Sequence, residues 1–133
     1  MHNEFYILRY GEVLLNLAEC EAETGNLAQA VAYLNQLRDR PSVAMPYYPT
    51  AQFPTDSKTN VFRAIIHEKE VEKGCEEVRN IDILRWRKGG YFATEPLSYF
   101  TPNRDGLLPL PQQEIDKNPQ SGTGGIDKQN PGY

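Results

Sequence analysis

The positions of proline restrict the folds open to this chain more than any other feature. All ten prolines of the 133 residues lie outside residues 1–40 and 55–95. Proline inside a helix removes a backbone hydrogen bond and clashes with the preceding turn, so long helices are confined to those two blocks. We therefore predict a mainly α chain forming a single unit, with a proline-rich loop at 41–57 and an irregular packing tail at 89–133.

Residues 5–40 have the pattern of two helices joined by a tight turn. Apolar residues recur three or four positions apart, which places them on one face of each helix. They are Ile7, Tyr10, Val13, Leu14, Leu17 and Ala18 in the first helix, and Leu27, Ala30, Val31, Leu34 and Leu37 in the second. Gly25 is suited to the left-handed conformation that closes a helix, and Asn26 with Gln29 is a candidate capping box. So short a connection makes the helices antiparallel neighbours.

This hairpin resembles a tetratricopeptide-type repeat. The similarity lies in Leu14, Leu17, Ala18, Gly25, Ala30, Leu34 and Pro41, and the chain departs from it at Glu21, where an aromatic residue is usual. No second copy follows in the sequence at the expected period of about 34 residues. A single solenoid repeat cannot bury its apolar face alone, so another segment is expected to cover this hairpin.

The loop at 41–57 contains four prolines and three aromatic residues, Tyr47, Tyr48 and Phe53. Such rings either stack on a sugar or pack the loop onto the helices beneath it, and packing is the commoner role. After the loop, residues 59–88 are predicted to form a helix pair, 59–78 and 79–87, ended by glycines 89 and 90. The residues expected to face inward are Phe62, Ile65, Ile66, Val71, Cys75, Val78, Ile81, Leu84 and Trp86, with Gly74 allowing a close backbone crossing.

The tail carries weaker signals. Residues 103–106 (Asn-Arg-Asp-Gly) indicate a turn, and residues 107–111 are expected to be extended and partly buried. A short helix is predicted over 112–117, with Pro111 in its first turn and Asn118-Pro119 stopping it.

Composition excludes several classes of protein. The net charge of −4 and the isoelectric point near 5.2 argue against a nucleic-acid partner. No run approaches the roughly 18 apolar residues of a membrane span. Two cysteines, Cys20 and Cys75, exclude a disulfide framework, and both are expected to be small buried residues. Their spacing does not decide whether they are bridged.

Catalytic and metal-binding patterns are missing from the sequence. Its two histidines, His2 and His67, have no second ligand at metal-binding spacing, and His67 is interpreted as a surface or packing residue. The glycines at 122–125 lead into no predicted helix, so they fail as a phosphate-binding loop. Carboxylates recur every fourth residue and are interpreted as a structural polar network joining two helices. Its members are Glu68, Glu72, Glu76, Arg79, Asp82, Arg85 and Trp86. Arg79, three residues after Glu76, and Arg85, three after Asp82, are expected to relieve the repulsion between the carboxylates. We expect no cofactor, no metal and no catalytic residue.

Three stretches in order resemble the SusD/RagB family. They are residues 9–19 with 34–38 (RYGEVLLNLAE and LNQLR), residues 68–86 (EKEVE, CEEVR and DILRW), and the ending at 108–119 and 129–133 (LPLPQQEIDKNP and QNPGY). The chain departs from the family pattern at Lys73, where leucine is favoured, and at Glu77, where glycine is favoured. The match is to the C-terminal part of proteins several hundred residues long, so we expect the chain to be a fragment.

The resemblance implies a surface-exposed, non-enzymatic lipoprotein of the outer membrane that binds oligosaccharides, or sometimes peptides. Its expected partner is a SusC-like TonB-dependent transporter, and its membrane attachment an N-terminal lipid anchor absent from this chain. Ligand sites in the family lie on irregular segments, which makes the aromatic residues of such segments the candidates here: Tyr47, Tyr48, Tyr91, Phe92, Tyr99 and Phe100. Two alternatives stay open. The hairpin alone would suit a tetratricopeptide-like protein–protein interaction scaffold, and abundant glutamate alone would suit a carbohydrate-active hydrolase.

Overall fold

A computed structural model describes residues 8–76, 78–92, 94, 96–117 and 128–133 of the chain. Within these ranges it is mainly helical and has no strand, as predicted. The helices are α1 (Tyr10–Thr24), α2 (Leu27–Arg38), α3 (Lys58–Glu72), α4 (Arg79–Lys88) and α5 (Gln112–Lys117). The chain divides into two compact units, Met1–Tyr91 and Phe92–Tyr133. None of the described helices is both long and apolar enough to span a membrane.

The hairpin of α1 and α2 is confirmed. Gly25 takes the left-handed conformation, with φ of 93°, and the N–H of Asn26 donates to Glu21 O at 2.8 Å, which closes α1. The predicted capping box is wrong, because Asn26 makes no side-chain cap. Its amide donates instead to the Glu21 carboxylate at 2.8 Å, which draws the side chain back toward α1. Residues 5–7, the start of the predicted hairpin, lie outside the described residues.

One apolar core joins the hairpin to α3, which supplies the cover that a lone hairpin needs. Its side chains come from all three helices and the loop: Leu14, Leu15, Ala18, Ala22, Ala30, Leu34, Leu37, Tyr48, Val61, Phe62, Ala64 and Ile65. Tyr10 and Leu17 were expected here but are 68% and 39% exposed. The reason is that α1 contacts both α2 and α3. Leu14 and Ala18 of the predicted stripe are buried, and Leu15 and Ala22 complete the buried face in place of Tyr10 and Leu17.

The second helical block is shorter than predicted, since α3 ends at Glu72 and not near residue 78. Val71 is exposed, contrary to expectation, because charged residues occupy the inward face of this half of α3. Cys75, also expected inside, is exposed in the turn that follows α3. Gly74 lies exposed in the turn after α3, where a Cβ would meet backbone oxygens of residues 70 and 71, so the predicted close crossing is not found among the described segments. Both cysteines are free and exposed, which corrects the prediction that they are buried.

Helix α4 begins at Arg79 as predicted and ends at Lys88, one residue beyond the predicted end. Ile81 was expected to face inward but is 66% exposed. Trp86 is buried as expected, because its indole donates to the Glu19 carboxylate on α1. Ile83, three residues earlier, is buried in place of Ile81. The turn at glycines 89 and 90 is confirmed, with φ of 75° at Gly90.

The proline-rich loop packs onto the helices. Tyr48 is buried, and Asn35 of α2 holds its backbone through two hydrogen bonds of 2.7 and 3.0 Å. Phe53 contacts the Tyr48 ring edge-on at 6.0 Å and stacks on His67 at 4.5 Å between ring centroids. The packing role is thus confirmed for Tyr48 and Phe53, as is the interpretation of His67 as a packing residue.

In the second unit, the turn predicted at residues 103–106 is confirmed and begins one residue earlier, at 102. The helix over 112–117 is also confirmed. Leu107 and Leu108 are exposed, so the expected burial of residues 107–111 is wrong for both. This segment is held through its backbone, because the Gln129 amide accepts from Leu110 N at 2.6 Å and donates to Leu110 O at 2.8 Å. The predicted stop at residues 118–119 and the glycines at 122–125 fall outside the described residues.

Candidate functional site

The inward face of the second half of α3 is charged. Glu68, Lys69, Glu72 and Lys73 recur at helical spacing and share this face. All four side chains are at most 12% exposed. Burying a charge is costly unless an opposite charge or several hydrogen bonds accompany it. In this structure every one of the four has a partner on the hairpin or at its end.

Glu68 ties α3 to the end of α2 and to the loop. Its carboxylate accepts hydrogen bonds of 2.8 Å from both Arg38 Nε and the Tyr48 hydroxyl. The Arg38 guanidinium also lies 4.0 Å from the centre of the Tyr48 ring and donates to Pro46 O. Burial and then the bond to Glu68 raise the pKa of Tyr48. The ring therefore stays neutral and fixed between α2 and α3.

Glu72 receives two arginines. Arg40 donates to both of its oxygens, at 3.1 and 2.6 Å, and Arg9 donates to one at 2.9 Å. Burial alone would raise the pKa of Glu72, but the bonds from Arg40 and Arg9 outweigh it and lower the pKa. The carboxylate comes so close to α1 that a Cβ on Gly11 would lie 3.0 Å from Glu72 Oε1. Arg9 thus provides a cation for Glu72, and Gly11, two residues later, leaves room for the Glu72 carboxylate.

Glu19 of α1 accepts four hydrogen bonds from three side chains. It accepts from Lys69 Nζ at 2.9 Å, from Trp86 Nε1 at 3.0 Å and from both terminal nitrogens of Arg85. Burial alone would raise the pKa of Glu19, but the hydrogen bonds from Arg85 and Lys69 lower it to about 2. A single residue on α1 therefore connects α3 and α4. Lys73, the departure from the family pattern, is held in the same way by Glu12 at 2.6 Å.

The predicted polar network exists in a different arrangement. Asp82 and Arg85 pair at 2.8 Å as expected. Arg79 pairs with Glu70 at 2.7 Å and not with Glu76, because the turn after α3 destroys the helical spacing between Glu76 and Arg79. Glu72 and Glu76 share Arg9, and Glu72 also pairs with Arg40. Glu68 pairs separately, with Arg38.

Sequence reasoning missed the members of this network that lie on the hairpin, which are Arg9, Glu12, Glu19, Arg38 and Arg40. A signal for Glu19 was present. It lies four residues after Leu15 and three before Ala22, which places a carboxylate on the apolar face of α1. A charge at such a position indicates a buried partner on the next helix.

The chemistry of these groups is that of fixed ions. A general acid needs a carboxyl group whose pKa is raised toward neutrality. Glu19 and Glu72 have pKa values shifted in the opposite direction and stay ionised. Among the described residues, no three His, Cys, Asp or Glu side chains are placed to hold a metal ion.

A groove of about 630 Å³ lies beside the Glu19 cluster, with lining residues from α1, α3 and α4. The lining includes Asn16, Cys20 and Glu23 of α1, and Ile81 and Arg85 of α4. Tyr91, the last residue of the first unit, also lines it. This concave surface therefore combines an aromatic ring, exposed apolar atoms and amide and carboxylate groups.

The aromatic ligand candidates divide equally between the two units. Tyr47 is exposed on the loop and donates its hydroxyl hydrogen to Asp39, whereas Tyr48 is buried. Tyr91 stacks on Phe62 at 4.3 Å between ring centroids and reaches the groove. The other three belong to the second unit, where Tyr99 is exposed and Phe92 and Phe100 are half-buried. Of the three in the first unit, Tyr91 is the ring at the groove.

Comparison with known proteins finds a matching family model and two similar proteins. Residues 1–106 match the model of the SusD family (SusD/RagB). SusD-like protein P2 of Formosa agariphila is 35% identical over 135 residues, covering 95% of this chain and 25% of the relative. SusD-like protein P25 of the same organism is 31% identical over 123 residues, covering 85% and 22%. The chain thus spans about a quarter of the length of these relatives, and no solved structure matches it. The chain belongs to the SusD family.

Proposed function

We propose that the complete protein captures oligosaccharides at the cell surface for uptake, without enzymatic activity. The observation that carries this proposal is membership of the SusD family, seen over residues 1–106 and in two SusD-like relatives. The captured sugar would pass to a SusC-like TonB-dependent transporter in the outer membrane.

The geometry of the described residues supports binding over turnover. Hydrolysis of a glycosidic bond requires one carboxylic acid with a raised pKa and a second carboxylate roughly 5 to 9.5 Å away across the substrate. The buried carboxylates Glu19 and Glu72 have lowered pKa values and are bonded to cations. Both carboxylates hold helices together and are ionised, so they have no proton to give to a leaving group.

The site of action in this proposal is the outer membrane, reached through a lipid anchor. The gene is expected to encode a signal peptide and a lipidation cysteine upstream of these residues, beside a gene for the transporter. A gene that encodes neither feature would contradict the proposal.

Calorimetric titration of the complete gene product tests the function directly. Maltoheptaose, xylohexaose and laminarihexaose are titrated in turn, and the mixtures are then analysed for shortened sugars. We expect saturable heat with at least one sugar and an unchanged sugar length. Shortened products would indicate a hydrolase, and no binding to any of the three would refute oligosaccharide capture.

A tetratricopeptide-like interaction scaffold is the second candidate function. It is favoured by the α1–α2 hairpin, in which Ala18 and Ala30 are fully buried and let the two helices pack closely. The same calorimetry with extended peptides in place of sugars separates the two. Peptide binding with no sugar binding would favour the scaffold.

A further inference from the structure

We propose that the groove between α1 and α4 is a sugar-binding subsite that takes one or two rings of a neutral oligosaccharide. This inference rests on the proposed function, since it names where on this chain the captured sugar makes contact. Nothing in the sequence singled out the groove, because its walls come from helices about 60 residues apart along the chain.

The dimensions suit a small ligand. At about 630 Å³ the groove falls within the roughly 300–1,000 Å³ typical of small-molecule sites. Such sites combine apolar and aromatic lining with a few fixed polar groups that set the orientation of the ligand.

Tyr91 supplies a ring against which the apolar face of a sugar packs. It stacks nearly parallel to Phe62, with 4.3 Å between centroids and 17° between planes, so its orientation is set before any ligand arrives. An aromatic ring held in this way contributes large contact area at little entropic cost on binding. Ile81, 66% exposed, adds apolar surface to the same groove.

Asn16 and Glu23 supply polar groups whose positions are also fixed. The Asn16 carbonyl oxygen accepts from Lys69 Nζ at 2.9 Å, which leaves the amide N–H groups oriented as donors. One oxygen of Glu23 accepts from Lys58 at 2.7 Å, and a carboxylate retains further acceptor sites. Sugar hydroxyls both donate and accept, so this pair of groups can satisfy them.

The ligand should be uncharged because the lining cations are already engaged. Lys69 and Arg85 are both bonded to Glu19, and Arg85 also to Asp82. A uronic acid or sulfated sugar would have to compete with these buried carboxylates for its counter-ion. A neutral ring needs no such exchange.

The two free thiols offer a reporter and a matched control. Cys20 lines the groove, whereas Cys75 lies in the turn after α3 and is not part of the lining. Both are exposed. The test uses the complete gene product with whichever of maltoheptaose, xylohexaose or laminarihexaose it binds. Alkylation of each thiol by iodoacetamide is followed by peptide mass spectrometry, with and without that sugar. At ten times Kd we expect the sugar to slow alkylation of Cys20 about tenfold and to leave Cys75 unchanged.

A pair of variants tests the subsite independently. Ile81→Ala removes apolar surface from the groove, and Val71→Ala removes a similarly exposed side chain (61%) outside it. We expect Ile81→Ala to raise Kd for the sugar about three- to tenfold and Val71→Ala to leave it unchanged. Thermal unfolding of both variants checks that the fold is retained, which their exposure favours.

The outcomes separate the subsite from the function. If the protein binds a sugar but neither Cys20 protection nor the Ile81→Ala loss is seen, the subsite is refuted and the function stands. If Cys20 is already unreactive without sugar while Cys75 reacts, another part of the complete protein fills the groove, and the subsite is again refuted. If none of the three sugars binds, both proposals fall.

Discussion

Replacing Glu19 with glutamine should destabilise the fold more than any other single change of one charge on α1. The variant keeps the size of the side chain but removes the negative charge of the carboxylate to which Lys69, Arg85 and Trp86 all donate hydrogen bonds. Arg85 is partly exposed and keeps Asp82 as a partner. Lys69 is 5% exposed and its distance to Asp82 is 3.8 Å, so its ammonium group loses its principal counter-charge.

The magnitude follows from two separate considerations. Removing one member of a buried ion pair typically costs about 3–5 kcal/mol, because the other charge stays buried without compensation. The pKa of Glu19 falls from 4.5 to about 2 on folding, which at about 1.4 kcal/mol per pKa unit corresponds to about 3–4 kcal/mol. We therefore expect the free energy of unfolding to fall by about 3 kcal/mol.

Glu23→Gln provides the matched control. Glu23 lies one turn later on α1. Like Glu19 it pairs with a lysine of α3, in this case Lys58, but both side chains of this pair are more than 40% exposed. An exposed pair contributes about 1 kcal/mol or less. Urea unfolding of both variants, followed by circular dichroism at neutral pH, gives the comparison. If Glu19→Gln does not fold, Glu19→Gln with Lys69→Met should recover a folded chain, because the uncompensated charge is gone. Equal losses for the two single variants would refute the role given to Glu19.

Three further predictions follow from the same packing. The folded-state pKa of Glu19 is depressed, so its contribution is complete above pH 4.5 and is lost as the pH falls toward 2; urea midpoints across this range should fall in the wild type and less steeply in Glu19→Gln. Gly11→Ala should destabilise by about 1–3 kcal/mol despite the better helix propensity of alanine, because its Cβ would lie 3.0 Å from Glu72 Oε1; thermal unfolding measures this. Leu15→Ala should cost about 2–5 kcal/mol and the more exposed Leu17→Ala under about 1 kcal/mol, and similar urea midpoints for these two would show that the buried face of α1 is misplaced.

Features set by local patterns were predictable from the sequence. The hairpin follows from apolar spacing and from Gly25, whose left-handed conformation closes α1. The positions of proline correctly confined the four longer helices to residues 1–40 and 55–95, and the short helix α5 begins directly after Pro111. These features depend on residues that are close together in the sequence, so the sequence alone is enough to predict them.

The orientation of α3 and α4 was not predictable in the same way. Apolar spacing placed Val71, Cys75 and Ile81 inside, whereas the structure buries Lys69 and Lys73. Hydrophobic periodicity assigns charged residues to the surface, so it fails where each charge meets an opposite charge from a distant segment. Lys69 and its partner Glu19 are 50 residues apart, and no local pattern links them.

The candidate site shows the same division. Tyr91 was singled out as an aromatic residue of an irregular segment, but the groove it lines depends on how α1 and α4 lie together. Tyr47 and Tyr48 are adjacent in sequence, yet one is exposed and the other buried. Their roles in binding a sugar remain predictions for mutagenesis of the complete protein.

If the helices are tied together by a buried, ionised Glu19, its carboxyl group must titrate far below a normal glutamate. Carbon-detected NMR of the side-chain carboxyls, recorded from neutral pH down to the onset of acid unfolding and assigned by comparison with Glu19→Gln, measures this directly. A Glu19 signal that stays in its ionised position through pH 4.5, consistent with a pKa of about 2, is the expected result. A Glu19 signal with its midpoint near 4.5 would show an ordinary solvated carboxylate and contradict the charged interface between α1, α3 and α4.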